Sequence, residues 1–125
     1  MTELSKRQFE QGNLVVTVRR IYDDHITPEQ PDTRNYKGCT DEDIERYIQE
    51  DQDRYEEFYR DEWYYVGIVV QVSIAVDHMM PVIAESSVWG IESDSNEGYF
   101  AELEKDGIKE ALHRVELLKG ALNET

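Results

Sequence analysis

From position 63 to position 76 the chain alternates almost without fault between two kinds of side chain. Tyr64, Val66, Ile68, Val70, Val72, Ile74 and Val76 point one way, and Trp63, Tyr65, Gly67, Val69, Gln71, Ser73 and Ala75 the other. A period of two held this long demands an extended strand with one apolar face to bury and a mixed second face. Residues 77–81 then read as a turn. Residues 82–91 return antiparallel, with Val82, Ala84, Ser86 and Val88 on one face and Ile83, Glu85, Ser87 and Trp89 on the other. The rest of the chain has to cover this hairpin.

Three other segments are available for that. Residues 14–22, L-V-V-T-V-R-R-I-Y, are β-branched and predict a strand, with Leu14, Val16 and Val18 on one face and Val15, Thr17 and Arg19 on the other. Thr40-Asp41-Glu42-Asp43 predicts a helix start. Thr40 can accept a bond from the Asp43 N–H, and the acids sit at the positive end of the helix dipole. Ile44, Tyr47, Ile48, Tyr55, Phe58 and Tyr59 then make one apolar stripe, interrupted by Asp51, along a helix expected to reach about Glu62. Ser93–Asn96 is a run of capping residues. The helix after it carries Phe100, Leu103, Ile108, Ala111, Leu112, Val115 and Leu118 at helical spacing, is weakened at Gly107, and has Gly120 as its expected stop. Residues 23–39 form a loop, and residues 1–12 are charged, aperiodic and expected to fray. The expected fold is α+β in the order β-α-β-β-α: a sheet of about three strands with two helices packed on it, and all 125 residues in one domain.

Charge decides which partners are conceivable. The formal net charge is −15, from 28 acids against 13 Lys and Arg. Such a surface repels nucleic acid and anionic lipid and suits a basic partner, or serves solubility alone. A single cysteine, Cys39, excludes an internal disulfide. Residues 1–11 lack an apolar signal region, and the run 63–76 is too short for a membrane helix and is broken by Gly67, Gln71 and Ser73. The expected location is the cytoplasm.

Two stretches carry a resemblance. Trp63-Tyr64-Tyr65-Val66-Gly67, then Ser87, Trp89, Gly90, Ile91, Glu92, Ser93, Asp94 and Ser95, then Tyr99 and Phe100, resemble small uncharacterised proteins of bacteriophages and prophages. Those proteins carry a W-Y-Y-V-G strand followed by an S-x-W-G-I-E-S-D-S run and an acidic helix. Val88 stands where leucine is more usual. The resemblance covers under half the chain. It implies a mobile-element origin and no catalytic residues.

Residues 40–62 hold eleven acids against three arginines, Arg46, Arg54 and Arg60. Over a helix of roughly 34 Å this is about one acid per 3 Å, against one charge per about 1.7 Å on duplex DNA. Glu42, Glu45, Asp53, Glu56 and Glu57 lie off the apolar stripe and are the expected partner-binding carboxylates. Trp63 and Tyr65, on the mixed face of the strand, could add an aromatic patch ringed by acids. The bland alternative is a solvated helix face with Arg46–Glu50 and Glu50–Arg54 pairs.

Glu92–Ser95 reads as helix capping, with Trp89 packed. The segment from Asp51 to Glu62 matches a calcium loop only in part, because Glu56 replaces the turn glycine and Tyr55 an oxygen ligand. His25, His78 and His113 are isolated, so no metal and no cofactor is expected. Nucleophile, Walker and dinucleotide motifs are missing. The expected function is that of a bacteriophage- or prophage-derived, non-enzymatic decoy, a DNA mimic that blocks a basic, nucleic-acid-handling host or defence protein. The alternative is a structural or self-associating domain, a homodimer included, whose acidity only keeps it in solution.

Overall fold

The computed structural model describes residues 2–31, 38 and 40–124. Cys39 and the 32–37 part of the expected loop lie outside the described residues, as does Met1. The elements run β1 (Glu3–Gln11), β2 (Leu14–Asp23), α1 (Asp41–Tyr59), β3 (Tyr65–Ile74), β4 (Val82–Glu92) and α2 (Glu97–Asn123). The strands form one antiparallel sheet in the order β1-β2-β3-β4. The fold is α+β, as the alternation predicts.

The fourth strand is the main departure. The segment expected to fray is β1, paired along β2 from Glu3 opposite Ile21 to Gln11 opposite Leu14. Gly12, at φ 62°, makes the turn with Asn13, and a glycine opening a two-residue loop is a hairpin-forming conformation. As an edge strand β1 needs backbone partners more than apolar side chains, and its Glu3, Lys6, Arg7 and Glu10 guard the open edge. Cross-strand bonds reinforce the pairing: Gln8 Nε2 donates to Thr17 Oγ1 at 3.0 Å, and Arg19 Nε to Glu3 at 2.9 Å.

Val16 opposite Val72 and Val18 opposite Val70 set the register of the core layer, and Val66 and Ile68 extend it. All six are buried, together with Phe100, Ala111 and Val115 of α2 above them. Gly107 is what lets α2 come this close. A Cβ there would meet Val70 Cγ2 at 3.0 Å, and Ser86 Oγ donates to the Gly107 carbonyl at 2.7 Å. The helix cost of glycine, about 1 kcal/mol, is the price of that approach.

One charge crosses this interface. Glu104, only 7 % exposed, accepts from Arg20 Nε and Nη2, both at 3.2 Å. Arg20 also reaches Glu97 at 3.1 Å and lies 4.5 Å from the Phe100 ring centre. Breaking such a pair by removing one partner strands the other charge.

The helix ends differ from expectation. The first helix stops at Tyr59, and Asp61 at φ 61° turns the chain toward the sheet. The last helix runs through Gly120 to Asn123. The long strand is trimmed to Tyr65–Ile74, with Val76 left in an isolated bridge to Met79. Two register shifts bend the β3–β4 pairing, one between Val66 and Ile68 and one between Val72 and Ser73.

Candidate partner-binding surface

α1 is built as its sequence predicts and placed otherwise. Thr40 caps it, its hydroxyl accepting from the Asp43 N–H at 3.2 Å. No residue of the helix is fully buried, so it does not pack on the sheet as a core layer; along its apolar stripe Ile44, Ile48, Tyr55 and Phe58 are partly buried, while Tyr47 and Tyr59 are exposed. An apolar stripe tells which side of a helix avoids water; it does not tell how much surface will meet that side.

On the opposite side, Glu42, Glu45, Asp53 and Glu56 are exposed. At about 100° per residue they fall within roughly 80° of arc, a single acidic line along the helix. Gln49 and Gln52 lie close to the same line and donate to Asp53 at 2.8 Å and Glu56 at 3.1 Å. Glu57, the fifth expected carboxylate, is half-buried and lies 3.7 Å from Arg54. The expected four-residue pairs give way to others: Arg46 binds Asp43 at 3.1 Å, and Arg54 turns toward the sheet.

Arg54 and Trp63 together hold the C-terminal half of α1. The guanidinium grips Asp94 through both Nη atoms at 2.6 Å and Glu92 through Nε and Nη2 at 3.1 and 2.9 Å. It lies over Trp63, 3.9 Å from the ring centre, while the indole N–H donates to the Arg54 carbonyl at 2.9 Å. Phe58 and Tyr65 pack against the same indole at 5.1 and 5.0 Å between ring centres. Trp63 is therefore 2 % exposed. Its expected place on an open aromatic patch is corrected: cation, helix and neighbouring rings enclose it, and it pins α1. Tyr65 is partly exposed, and burial pushes its hydroxyl pKa up. The Arg54 hydrogen bonds hold the Asp94 carboxyl below the usual carboxylate range.

The two sequence stretches singled out above meet here. Gly67 lies beneath the Trp89 ring, where a Cβ would come within 2.0 Å of Cε3. Trp89 and Gly90 together oppose Gly67 across the strand pair, a bulge in which Gly90 takes φ 75°. The Gly90 N–H donates to buried Asp23 at 3.2 Å. Ser93 Oγ accepts from the Tyr64 N–H at 2.9 Å, Ser95 Oγ donates to the Glu92 carbonyl at 2.7 Å, and Asn96 caps α2 by accepting from the Tyr99 N–H at 2.8 Å. Each polar residue of Glu92–Asn96 is thus engaged in structure.

Elsewhere, a broad hollow lies over the sheet face that α2 leaves open, lined by Thr17, Arg19, Gln71 and Ser73. Its polar groups are tied to one another: Arg19 to Gln71, and Gln71 to Glu85 at 3.2 Å. Where carboxylates converge, at Glu92 with Asp94 and at Glu97 with Glu104, an arginine stands between them. The stretch that partly matches a calcium loop is helical through Tyr59. Among the described residues, no three His, Cys, Asp or Glu side chains are grouped to hold a metal ion, and no helix is long and apolar enough to cross a membrane.

Comparison with protein families, with curated proteins and with solved structures finds no match for this chain.

Proposed function

We infer that this is a phage- or prophage-derived accessory protein that acts by binding in the host-cell cytoplasm, without chemistry. The outer line of α1 serves as a DNA-mimic-like decoy for a basic, nucleic-acid-handling host or defence protein and blocks it. One observation carries the reading: four exposed carboxylates share one side of a helix that buries no residue of its own. That helix is left open along its charged side. Its charge line is thinner than that of DNA, so the attraction works through the summed field more than through phosphate-by-phosphate register. The arginines that neutralise Glu92 with Asp94 and Glu97 with Glu104 further favour binding over acid–base work.

The test is a pull-down from bacterial host lysate at low and high salt, followed by kinetics on the recovered partner. Glu42→Gln, Glu45→Gln, Asp53→Asn and Glu56→Gln combined should slow association and flatten its salt dependence, because peripheral charges act chiefly on encounter. The melting temperature should hold. Glu57→Gln alone, beside Arg54, should change association less. Unchanged association by the fourfold variant, with an intact fold, would remove α1 from the mechanism.

A further inference from the structure

We propose that a small cavity between the C-terminal end of α1 and the sheet binds the head group of a methylated ammonium cation. The cavity measures about 250 Å³ and is lined by Tyr22, Phe58, Tyr59, Asp61, Trp63 and Tyr64. Five of these six side chains are aromatic, and among the described residues no lysine or arginine lines it. Three stretches of chain supply them. β2 gives Tyr22, the last turn of α1 gives Phe58 and Tyr59, and the connection from α1 to β3 gives the rest. Pockets for drug-sized ligands run to roughly 300–1,000 Å³, so this one suits a single head group.

The rings form a cage more than a stack. Tyr22 and Tyr64 meet at 5.4 Å and 41°, Phe58 and Tyr59 at 5.1 Å and 82°, and Phe58 and Trp63 at 5.1 Å and 63°. Rings inclined to one another turn their negative faces in several directions, the arrangement that attracts a cation. Trp63 is buried with Arg54 over it, but Tyr22 and Tyr59 are 38 % and 57 % exposed. Tyr59 keeps that exposure although it rests on both Tyr55 and Phe58.

Asp61 adds a second, independent observation. α1 ends in a Schellman turn, in which the Glu62 N–H donates to the Glu57 carbonyl at 3.0 Å and the Asp61 N–H to the Phe58 carbonyl at 3.1 Å. The left-handed position of that turn, at φ 61°, belongs to Asp61, where glycine or asparagine is usual. The C-terminal end of a helix is also partially negative and disfavours an acid. Asp61 thus stands against two local preferences. Its carboxylate has no ion pair or hydrogen bond among the described residues, since neighbouring Arg60 turns to Glu62 at 3.2 Å. A residue kept against local preference at the mouth of a cavity points to function.

The count of acceptors chooses the cation. Arg54, over Trp63, takes both Glu92 and Asp94 to satisfy its guanidinium. A guanidinium carries five N–H donors and a lysine ammonium three, whereas the cavity offers one carboxylate among its rings. A methylated ammonium keeps the positive charge with few or no donors to satisfy, which suits ring faces and one acid. This site does not depend on the outer carboxylate line of α1, and the failure of either leaves the other standing.

The test is a titration of the full chain, at constant ionic strength, with choline and with a trimethyllysine peptide, read from the aromatic ring resonances. Sodium chloride, the unmethylated peptide and the uncharged carbon isostere of choline are the controls. Saturable shifts of the Tyr22, Tyr59 and Tyr64 rings are expected with the methylated cations, and roughly tenfold weaker binding of the unmethylated peptide and the isostere. Whichever methylated probe binds tighter identifies the source, a free cation or a modified side chain. Asp61→Asn should weaken binding about tenfold with an unchanged or raised melting temperature. Asparagine accepts the same backbone and takes the acid from the helix end, so that loss cannot reflect unfolding. Tyr59→Leu should weaken binding as well. No saturable binding by either methylated cation would overturn the proposal. So would equal binding of the isostere or of the unmethylated peptide, or an Asp61→Asn variant that binds as tightly as wild type.

Discussion

α1 and α2 begin alike and are held in opposite ways. Each opens on a capping side chain that accepts from the N–H three residues on, Thr40 from Asp43 and Asn96 from Tyr99. α2 then buries Phe100, Glu104, Ala111 and Val115 over the sheet, whereas α1 buries nothing and hangs from Arg54 and the rings around Trp63. The two sheet faces explain the contrast. α2, with Gly107 admitting close approach, covers the valine-rich face, whereas α1 is tied near Trp63 and Tyr65 of the mixed face, where Thr17, Arg19, Gln71 and Ser73 offer little apolar surface. Exposed ion pairs contribute roughly 0.2–1 kcal/mol each, against about 1.5–3 kcal/mol for a fully buried aliphatic or aromatic side chain. α2 therefore belongs to the cooperative core, and α1 is a separable unit whose opening costs much less than global unfolding. On the function proposed above, in which α1 meets a partner along its length, weak attachment suits the task.

The largest effect should come from the α2 side. Ile68 is 1 % exposed within the core beneath that helix. Ile68→Ala should cost roughly 2–5 kcal/mol in a denaturant titration, the range for truncating a packed core residue. All probes should move together, α2 and the sheet in one transition. A loss near zero would mean that the core does not lie under α2.

A smaller and more local effect should follow on the α1 side. Arg54→Ala removes the grip on Asp94, Glu92 and Glu57 and uncovers the face of Trp63. The Trp63 N–H still has the backbone carbonyl at position 54. Amide exchange in α1 should accelerate while that of α2 and β3 stays near wild type, with a global cost of about 1 kcal/mol for the lost network. Equal acceleration in both helices would break the comparison, because α1 would then share the core's cooperativity.

This division was only half legible in the sequence. Alternation over β3 fixes which residues face the core because a strand's period is two whatever covers it, and Val66, Ile68, Val70 and Val72 are all buried. β1 has no such signal. An edge strand lying in solvent needs no apolar alternation, and its one cue is Gly12-Asn13 placed just before the β2 run. The apolar stripe of α1 looks like that of a core helix, since periodicity reports a side and says nothing of how little apolar surface the mixed sheet face offers it. Trp63 looked like surface because it falls on the mixed face, and the indole's cover comes from Arg54 and Phe58, residues of a different element. The pairing of Gly67 with Trp89 joins positions 22 residues apart, a contact that local pattern does not encode.

The finest test uses pH, because each helix is held by an arginine–carboxylate contact that lowers the carboxylate pKa, Arg54 of α1 with Asp94 and Arg20 with Glu97 of α2. Hydrogen bonds from Arg54 lower the pKa of Asp94, and those from Arg20 lower that of Glu97. A carboxylate whose folded pKa is depressed contributes stability above its unfolded value of about 4, and that contribution is lost as pH falls through the folded value. Against this, protonating other acids relieves the self-repulsion of a chain at −15. The two trends oppose each other globally and separate locally. In α1 the arginine grip is a main attachment, so its amide protection should fall as pH drops below about 4 toward the lowered folded value, after correction for intrinsic exchange. In α2 apolar burial does not titrate, so only the first turn, beside Glu97, should loosen. Asp94→Asn should make α1 looser at neutral pH and flatten its response to acid, and Glu97→Gln should leave α1 untouched. Simultaneous loss of protection in both helices would show that acid acts through the whole fold, and that the arginine grip does not set α1 apart.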